Sequence, residues 1–350
     1  MNLKERIDSF VTLGDFLSQL FLDKPKIFKG EVEEFKKVIN KSEQLNPWFT
    51  KENILFSLKI ISSQLTRDHI ESWINPYKIE NSLNVSKVAI IMAGNIPLVG
   101  FHDLLSVLIS GNKAVVKLSS NDTIIIPFLL EKLVKINPDF SGKYECVDDL
   151  RGRDFDAVIA TGSDNSSKYF EYYFGDIHRI IRKNRTSIAI ITGEESEEDV
   201  LQLANDIFLY FGLGCRSVSK LFIPEGYNTD RIFNGLYSFN HLMNNVKYAN
   251  NYEYNKAVLL IDNQDFLDNG FLLMKEDHSF HSPVSMVYYQ YYNDIDVLKQ
   301  DILEHEDNLQ CIVSKDPLLD RMHVNFGMSQ SPKLWHYSDN IDTIKFLLDI

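Results

Sequence analysis

From Val85 onward the chain alternates short apolar runs with stretches of helical spacing, and this alternation limits it to a small set of folds. Val88-Ala89-Ile90-Ile91-Met92 is apolar without a break, as in a strand buried on both faces. Ala93-Gly94-Asn95-Ile96-Pro97 ends it, and a helical pattern follows from Val99 to Ile109. Gly111-Asn112 turns the chain into a second strand, Ala114 to Lys117, and Thr123 to Ile136 is again helical. Asp156 to Ala160 reads as a third strand, followed by Thr161-Gly162-Ser163 and a helix through Phe174. This order predicts right-handed crossovers and a mostly parallel sheet. Ligands of such sheets bind beyond the carboxyl ends of the strands, where Asn95, Lys117 and Thr161-Gly162-Ser163 fall. Together they bring an amide, a cation and a helix N-terminus to one edge, a reasonable site for a dinucleotide phosphate. Taken singly each has a plainer reading: Asn95 as a turn residue, Lys117 as a solvated charge, Ser163 as a helix cap. The GxGxxG fingerprint of the standard Rossmann loop is absent.

The rest of the chain sets the frame. Residues 1 to 72 read as helices, with apolar faces in Ile7 to Leu22, Val32 to Ile39 and Asn53 to Leu65 that suit core packing. Asn75 to Ser86 is the nearest thing to a linker. A length of 350 residues suits about two domains. The net charge of −13 argues against a nucleic-acid surface. No run reaches the roughly 18 apolar residues of a membrane span, and Met1 to Asp23 lacks the unbroken apolar region of a signal peptide. Cys146, Cys215 and Cys311 form neither a disulfide framework nor a metal spacing, which suits a reducing cytoplasm and no metal.

Phe211-Gly212-Leu213-Gly214-Cys215-Arg216-Ser217 lies between a helical run, Asp199 to Tyr210, and an apolar run, Lys220 to Pro224. Its glycines permit a sharp turn. A free thiol there is either packed or nucleophilic, and from this stretch alone the packed reading is favoured.

Taken together, these motifs resemble a known family. Asn95-Ile96-Pro97, Gly111 to Lys117, Thr161-Gly162-Ser163 and Gly214-Cys215 are similar, in order, to the Asn-Phe-Pro, Gly-Asn-x-Val-Val-Lys-Pro, Thr-Gly-Ser and Gly-x-Cys of the aldehyde dehydrogenase superfamily. Arg185-Thr186-Ser187-Ile188-Ala189 and Gly212 to Arg216 resemble, within it, the acyl-CoA reductases of the LuxC type. The resemblance runs from about Val85 to the C-terminus, where Asn325-Phe326-Gly327 matches a late superfamily loop. It implies an aldehyde-dehydrogenase-like α/β fold with a Rossmann-type nucleotide domain, an α/β catalytic domain and an N-terminal helical segment. The expected bounds are 1–185 for the nucleotide domain with its helices and 186–324 for the catalytic domain. Residues 325–350 would return to the nucleotide domain.

The resemblance also implies roles. Cys215 would attack an acyl thioester and carry the acyl group, and Asn95 with the Cys215 N–H would hold the oxyanion. Lys117 would bind the adenine ribose or its phosphate. Gly162 and Ser163, after Thr161, would open the helix under the pyrophosphate. Ser120 stands where NAD-using relatives place a carboxylate, which points to NADPH; the plainer reading is a cap for the helix near Thr123. The water-activating glutamate of hydrolytic relatives aligns at or near Arg182, so a carboxylate is missing there. Glu194 and Glu195 read as a solvated polar turn. His281-Ser282-Pro283-Val284 aligns with a Glu-x-Phe-Gly-Pro-Val segment and lacks its ribose-binding glutamate. The implied reaction is NADPH-dependent reduction of a fatty acyl-CoA, or of an acylated partner protein, to the aldehyde. An acyl-protein synthetase is an implied partner, and the oligomeric state, a homo-oligomer included, is left open. The alternatives are a short-chain or acyl-phosphate reductase of the same superfamily, an ordinary aldehyde oxidiser, or a non-catalytic relic acting as a binding protein.

Overall fold

Asn2, Thr50 and Thr66 each start a helix in the same way: the side-chain oxygen accepts the backbone N–H three residues on. The helices are α1 (Leu3–Ser18), α3 (Lys51–Gln64) and α4 (Arg67–Ile74), with α2 (Lys29–Leu45) between the first two. Their apolar faces are buried with Phe16, Leu17, Phe35, Leu58 and Trp73 in one core. The computed structural model describes residues 1–79, 85–162, 164–318 and 322–350. Part of the expected linker, 80–84, lies outside the described residues, as does Ser163.

The alternation then continues as read: β1 (Lys87–Ile91), α5 (Phe101–Ile109), β2 (Lys113–Lys117), α6 (Ile125–Ile136), β3 (Tyr144–Val147), β4 (Ala157–Thr161), α7 (Asp164–Tyr173) and β5 (His178–Arg182). The five strands form a sheet in the order β3-β2-β1-β4-β5, every neighbour parallel. Alternate residues face opposite layers, as the two-residue period of a strand requires. Val88, Ile90, Val116 and Ile159 pack into the core of the N-terminal helices. Ala89, Ile91, Val115 and Val158 pack with Phe155, Phe170 and Phe174.

The chain divides into two compact units, Met1–Lys183 with Lys333–Ile350, and Asn184–Pro332. The second holds β6 (Thr186–Ile190), α8 (Glu197–Phe208), β7 (Val218–Pro224), α9 (Asp230–Leu236), α10 (Val246–Ile261), β8 (Leu267–Asp268), β9 (Leu273–Glu276), β10 (Met286–Tyr292), α11 (Ile295–Glu304), β11 (Leu309–Val313) and β12 (His323–Val324). Its sheet runs β12-β11-β6-β7-β10-β9-β8 and is parallel except for the β8–β9 pair. The final helix, α12 (Thr343–Leu348), buries Ile344 and Leu347 in the core of the first unit. The 325–332 stretch, expected with the C-terminal return, belongs to the second unit. There Asp206 of α8 accepts the backbone N–H groups of Gly327 and Ser329.

Candidate active site

In the first unit the strand register gathers several of the expected residues. Ile91 pairs with Lys117 on one side and Ala160 on the other, so Lys117 and the start of the Thr161-Gly162 turn share the carboxyl edge of the sheet. Lys117 and Thr161 are half-buried. A Cβ on Gly162 would lie 2.9 Å from Ser166 Cβ and 3.0 Å from Phe170 Cε2, so the turn hugs the first turns of α7 and only glycine fits without displacement. A cavity of about 440 Å³ lined by Lys87, Lys113 and Tyr144 opens at the opposite, amino edge of this sheet, the wrong edge for a nucleotide.

Asn95 is exposed on the bend after β1. The next turn is strained: Leu98 has φ 62°, a left-handed conformation that costs a non-glycine residue about 1–2 kcal/mol. Two side chains fix it. Asp122 Oδ2 accepts from Leu98 N at 3.1 Å, and Ser57 Oγ donates to Pro97 O at 3.2 Å. Burial pushes the Asp122 carboxyl up to about 6, against the pull of the Leu98 N–H. Ser120 is exposed in the turn after β2, and the N-cap of α6 is Ile124, with no side-chain bond. The capping reading of Ser120 therefore fails and its hydroxyl is left facing solvent.

Cys215 lies in the second unit, half-buried, on the turn between α8 and β7. The chain reaches it through three successive left-handed residues, Tyr210, Phe211 and Gly212, with φ of 56°, 58° and 76°. Two of these are buried aromatics, so the bend lies further upstream than the two glycines suggested, and packing holds it. Hydrogen bonds then clasp the turn. Ser217 N donates to Gly214 O at 2.9 Å, and Ser217 Oγ accepts from Gly214 N at 3.3 Å and from Gln330 Nε2 at 3.1 Å. Ser187 Oγ, on β6, donates to Cys215 O at 3.0 Å. With its one proton spent there, Ser187 Oγ accepts from Cys311 N at 3.3 Å and from the Cys311 thiol, Sγ lying 3.1 Å away.

The three thiols differ in kind. Burial pushes Cys311 up to about 11, so it stays protonated as a donor. Cys146, on β3, is exposed, and it too is raised, by partial desolvation of its thiol and then by Glu145. Cys215 is the one at the end of a strained, hydrogen-bonded turn. Beside that turn, Phe211, Gly212, Tyr248, Ser282 and Pro283 line a narrow cavity of about 20 Å³.

One buried acid in the unit of Cys215 was not read from the sequence. Asp206 is fully buried and accepts from Gly327 N at 2.6 Å and Ser329 N at 2.9 Å. Burial pushes it up to about 6, opposed by those N–H groups. It was visible as an acid on the apolar face of α8, among Leu203, Ile207 and Phe208. Glu195 corrects an expectation: it is 3% exposed, not solvated, and accepts from Thr192 N, Thr192 Oγ1 and Gly193 N at 2.7, 2.8 and 2.9 Å. Arg182 is buried at the end of β5 in a two-pronged ion pair with Asp103 of α5, its Nη2 2.7 Å from Oδ1, and it also donates to Thr343 Oγ1 at 3.2 Å. Among the described residues no cluster of His, Cys, Asp or Glu could hold a metal, and no helix is long and apolar enough to cross a membrane.

The family described as acyl-CoA reductase (LuxC) matches residues 29–238, from the start of α2 past the Cys215 turn. No curated protein matches the chain. Among solved structures, aldehyde dehydrogenase 21 of Physcomitrella patens, in complex with the reaction product succinate, superposes with a TM-score of 0.68 at 14% identity, covering 100% of this chain and 84% of that one. The indole-3-acetaldehyde dehydrogenase AldA of P. syringae, in complex with NAD+ and IAA, gives 0.62 at 11% identity, covering 90% and 72%. A Mycobacterium tuberculosis aldehyde dehydrogenase complexed with NAD+ gives 0.62 at 11%, covering 90% and 74%. At these identities the likeness is one of fold: the chain is aldehyde-dehydrogenase-like.

Proposed function

Because the chain belongs to the acyl-CoA reductase (LuxC) family, we propose that it reduces a fatty acyl thioester to the aldehyde with NADPH, by way of an acyl group carried on Cys215. The observation behind the choice of thiol is the contrast just drawn: Cys311 is buried and engaged with Ser187, whereas Cys215 is half-buried at the end of a strained turn. Its thiolate attacks the thioester carbonyl, a new S–C bond forms, and the CoA thiolate leaves and takes a proton. In this reading Asn95 and the Cys215 N–H steady the oxyanion.

Lys117, Ser120, Thr161, Gly162 and Ser163 are the residues assigned to the cofactor. The fit is supported by the Lys117–Ala160 row at the carboxyl edge, by the close approach at Gly162 and by a Ser120 hydroxyl that caps no helix. The NAD+ in the P. syringae and M. tuberculosis structures supports a nicotinamide cofactor here. When bound, NADPH supplies the hydride that turns the acyl group into aldehyde. Cys215 departs as thiolate, ready for another turnover.

The segment aligned with the hydrolytic base offers no free carboxylate: Arg182 lies at or near that position, and Asp103 is tied to its guanidinium. Water is thereby left without a base, which suits an acyl-enzyme that waits for hydride. The donor is a CoA thioester or an acylated partner protein, with an acyl-protein synthetase as the partner of matching chemistry. The cytoplasm, where unpaired thiols persist, is the setting. The test is NADPH oxidation on addition of a fatty acyl-CoA, with aldehyde as product. Wild type should turn over and Cys215→Ser should not. NAD+ reduction by a fatty aldehyde, with no reaction of the thioester, would count against the proposal.

A further inference from the structure

Arg6, on α1, is only 4% exposed, makes no ion pair among the described residues, and has the Glu5 carboxylate as the one acid whose charge favours it against burial. Its Nε donates to Ile109 O at 2.9 Å and its Nη1 to Met1 O at 3.1 Å, while no protein atom accepts from the buried Nη2. The guanidinium lies against the turn from α5 to β2: a Cβ on Gly111 would come within 3.2 Å of Nη1 and 3.5 Å of Nη2. Beside it is a small cavity lined by Arg6, Leu108, Gly111, Phe140 and Lys143, with room of about 10 Å³. Lys143 makes no ion pair among the described residues; burial, then Lys113 and Arg6, bear on its ammonium unfavourably, and Asp139 favourably. The nearby acids are exposed: Asp139 pairs with the Met1 ammonium at 3.8 Å, Met1 also lining the cavity, and Glu5 accepts the Asn2 N–H at 2.6 Å.

Two cations on one small cavity, one of them deeply buried, carry a large desolvation cost unless a negative charge meets them. A water molecule would satisfy Nη2 and add no negative charge to what the exposed Glu5 and Asp139 supply. A space of about 10 Å³ is at the lower limit for one water-sized sphere, which excludes a tetrahedral oxyanion and leaves a monatomic ion as the candidate. We propose that this pocket binds a single monatomic anion, chloride, between the Arg6 guanidinium and the Lys143 ammonium. The anion ties α1 to the α5–β2 turn and to the turn before β3, and so locks the N-terminal helices onto the sheet. This site is independent of the catalytic assignment and survives its failure.

The probe is bromide. Crystals of the full chain grown in sodium bromide should show an anomalous peak in contact with Arg6 Nη2. In solution, the Tm of wild type should rise with sodium chloride or bromide above its value in sodium gluconate at equal ionic strength. Lys143→Met should shrink that difference and Arg6→Met should abolish it. Should Arg6→Met fail to fold, Lys143→Met and the bromide map carry the test. A light water in the pocket with no anomalous signal, a Tm that ignores the choice of anion, or equal stabilisation by inorganic phosphate would each overturn the assignment.

Discussion

The carboxylate of Asp206 accepts the backbone N–H of Gly327 at 2.6 Å, joining α8 to the 325–330 loop in the same unit that carries Cys215. Its other oxygen takes Ser329 N, and Gln330 from the same loop reaches Ser217 Oγ. One buried acid thus fixes a loop that in turn clasps the Cys215 turn. Asp206→Ala leaves two buried N–H groups unpaired and should cost about 2–5 kcal/mol. Urea unfolding measures the loss, and reductase activity should fall with it.

The same residue gives a pH signature. Its folded pKa, about 6, is above the ordinary 3.8 because burial disfavours the charge. Between these values the native state binds more protons than the unfolded one, so stability falls as pH rises from about 4 to about 6, and then levels. A shift of about 2 units is worth about 3 kcal/mol. Asp122, raised for the same reason, acts in the same direction. The difference in unfolding free energy between wild type and Asp206→Asn should therefore slope across that window and be flat above it. A difference independent of pH would show that Asp206 does not titrate there.

Ser187 links two cysteines, donating to Cys215 O and accepting from Cys311. Ser187→Ala should destabilise the protein by about 1–3 kcal/mol and loosen the Cys215 turn. In the native enzyme iodoacetamide should label Cys215 ahead of Cys311, which is buried and protonated. Preferential labelling of Cys311, read by peptide mapping, would reverse the assignment of the two thiols.

The sheet of the first unit was legible because an unbroken apolar strand buried on both faces leaves a pattern that no surface element imitates. Val88 to Met92 and Asp156 to Ala160 agree with β1 and β4 to within a residue or two. β3 and β5 were missed because edge strands need little apolar surface: two of the four β3 residues, Glu145 and Cys146, are exposed. Cys215, Lys117 and Gly162 were marked by local motifs. Asp206, Asp122 and Glu195 were not, since each matters through backbone groups far along the chain or through a turn that hides it, and the motif that contains Ser187 gave that residue no role. Asp206 left one trace, an acid on the apolar face of α8, whereas Asp122 and Glu195 look in sequence like any surface acid. The left-handed pair Tyr210 and Phe211 was equally hidden, because aromatic residues are poor advertisements for that conformation.

Arg182 carries the expectation about water. Removing one partner of a buried pair should be severe: Arg182→Met strands Asp103 and should cost about 3–5 kcal/mol, while Arg182→Met with Asp103→Leu should recover most of it. Thermal unfolding of the single and double variants checks this. With no carboxylate free at that position, the wild-type acyl-enzyme should persist without NADPH. Prompt release of free fatty acid would reveal a base elsewhere.

Ser120 tests the cofactor. A carboxylate there would repel the 2′-phosphate of NADPH and accept the ribose hydroxyls of NADH, while the native hydroxyl can donate to the phosphate beside Lys117. The difference is worth about 1–3 kcal/mol, roughly ten- to a hundred-fold in kcat/KM. Wild type should prefer NADPH and Ser120→Glu should flatten or reverse the preference. Equal kcat/KM for both cofactors in both proteins would remove Ser120 from the cofactor site.

The most direct measurement is intact-protein mass spectrometry after incubation with a fatty acyl-CoA and no NADPH, followed by peptide mapping. One acyl group per chain should appear on Cys215, should vanish with release of aldehyde when NADPH is added, and should be absent from Cys215→Ala. An adduct of normal stoichiometry on Cys215→Ala, or on Cys146 or Cys311 in the wild type, would contradict the assignment of the nucleophile.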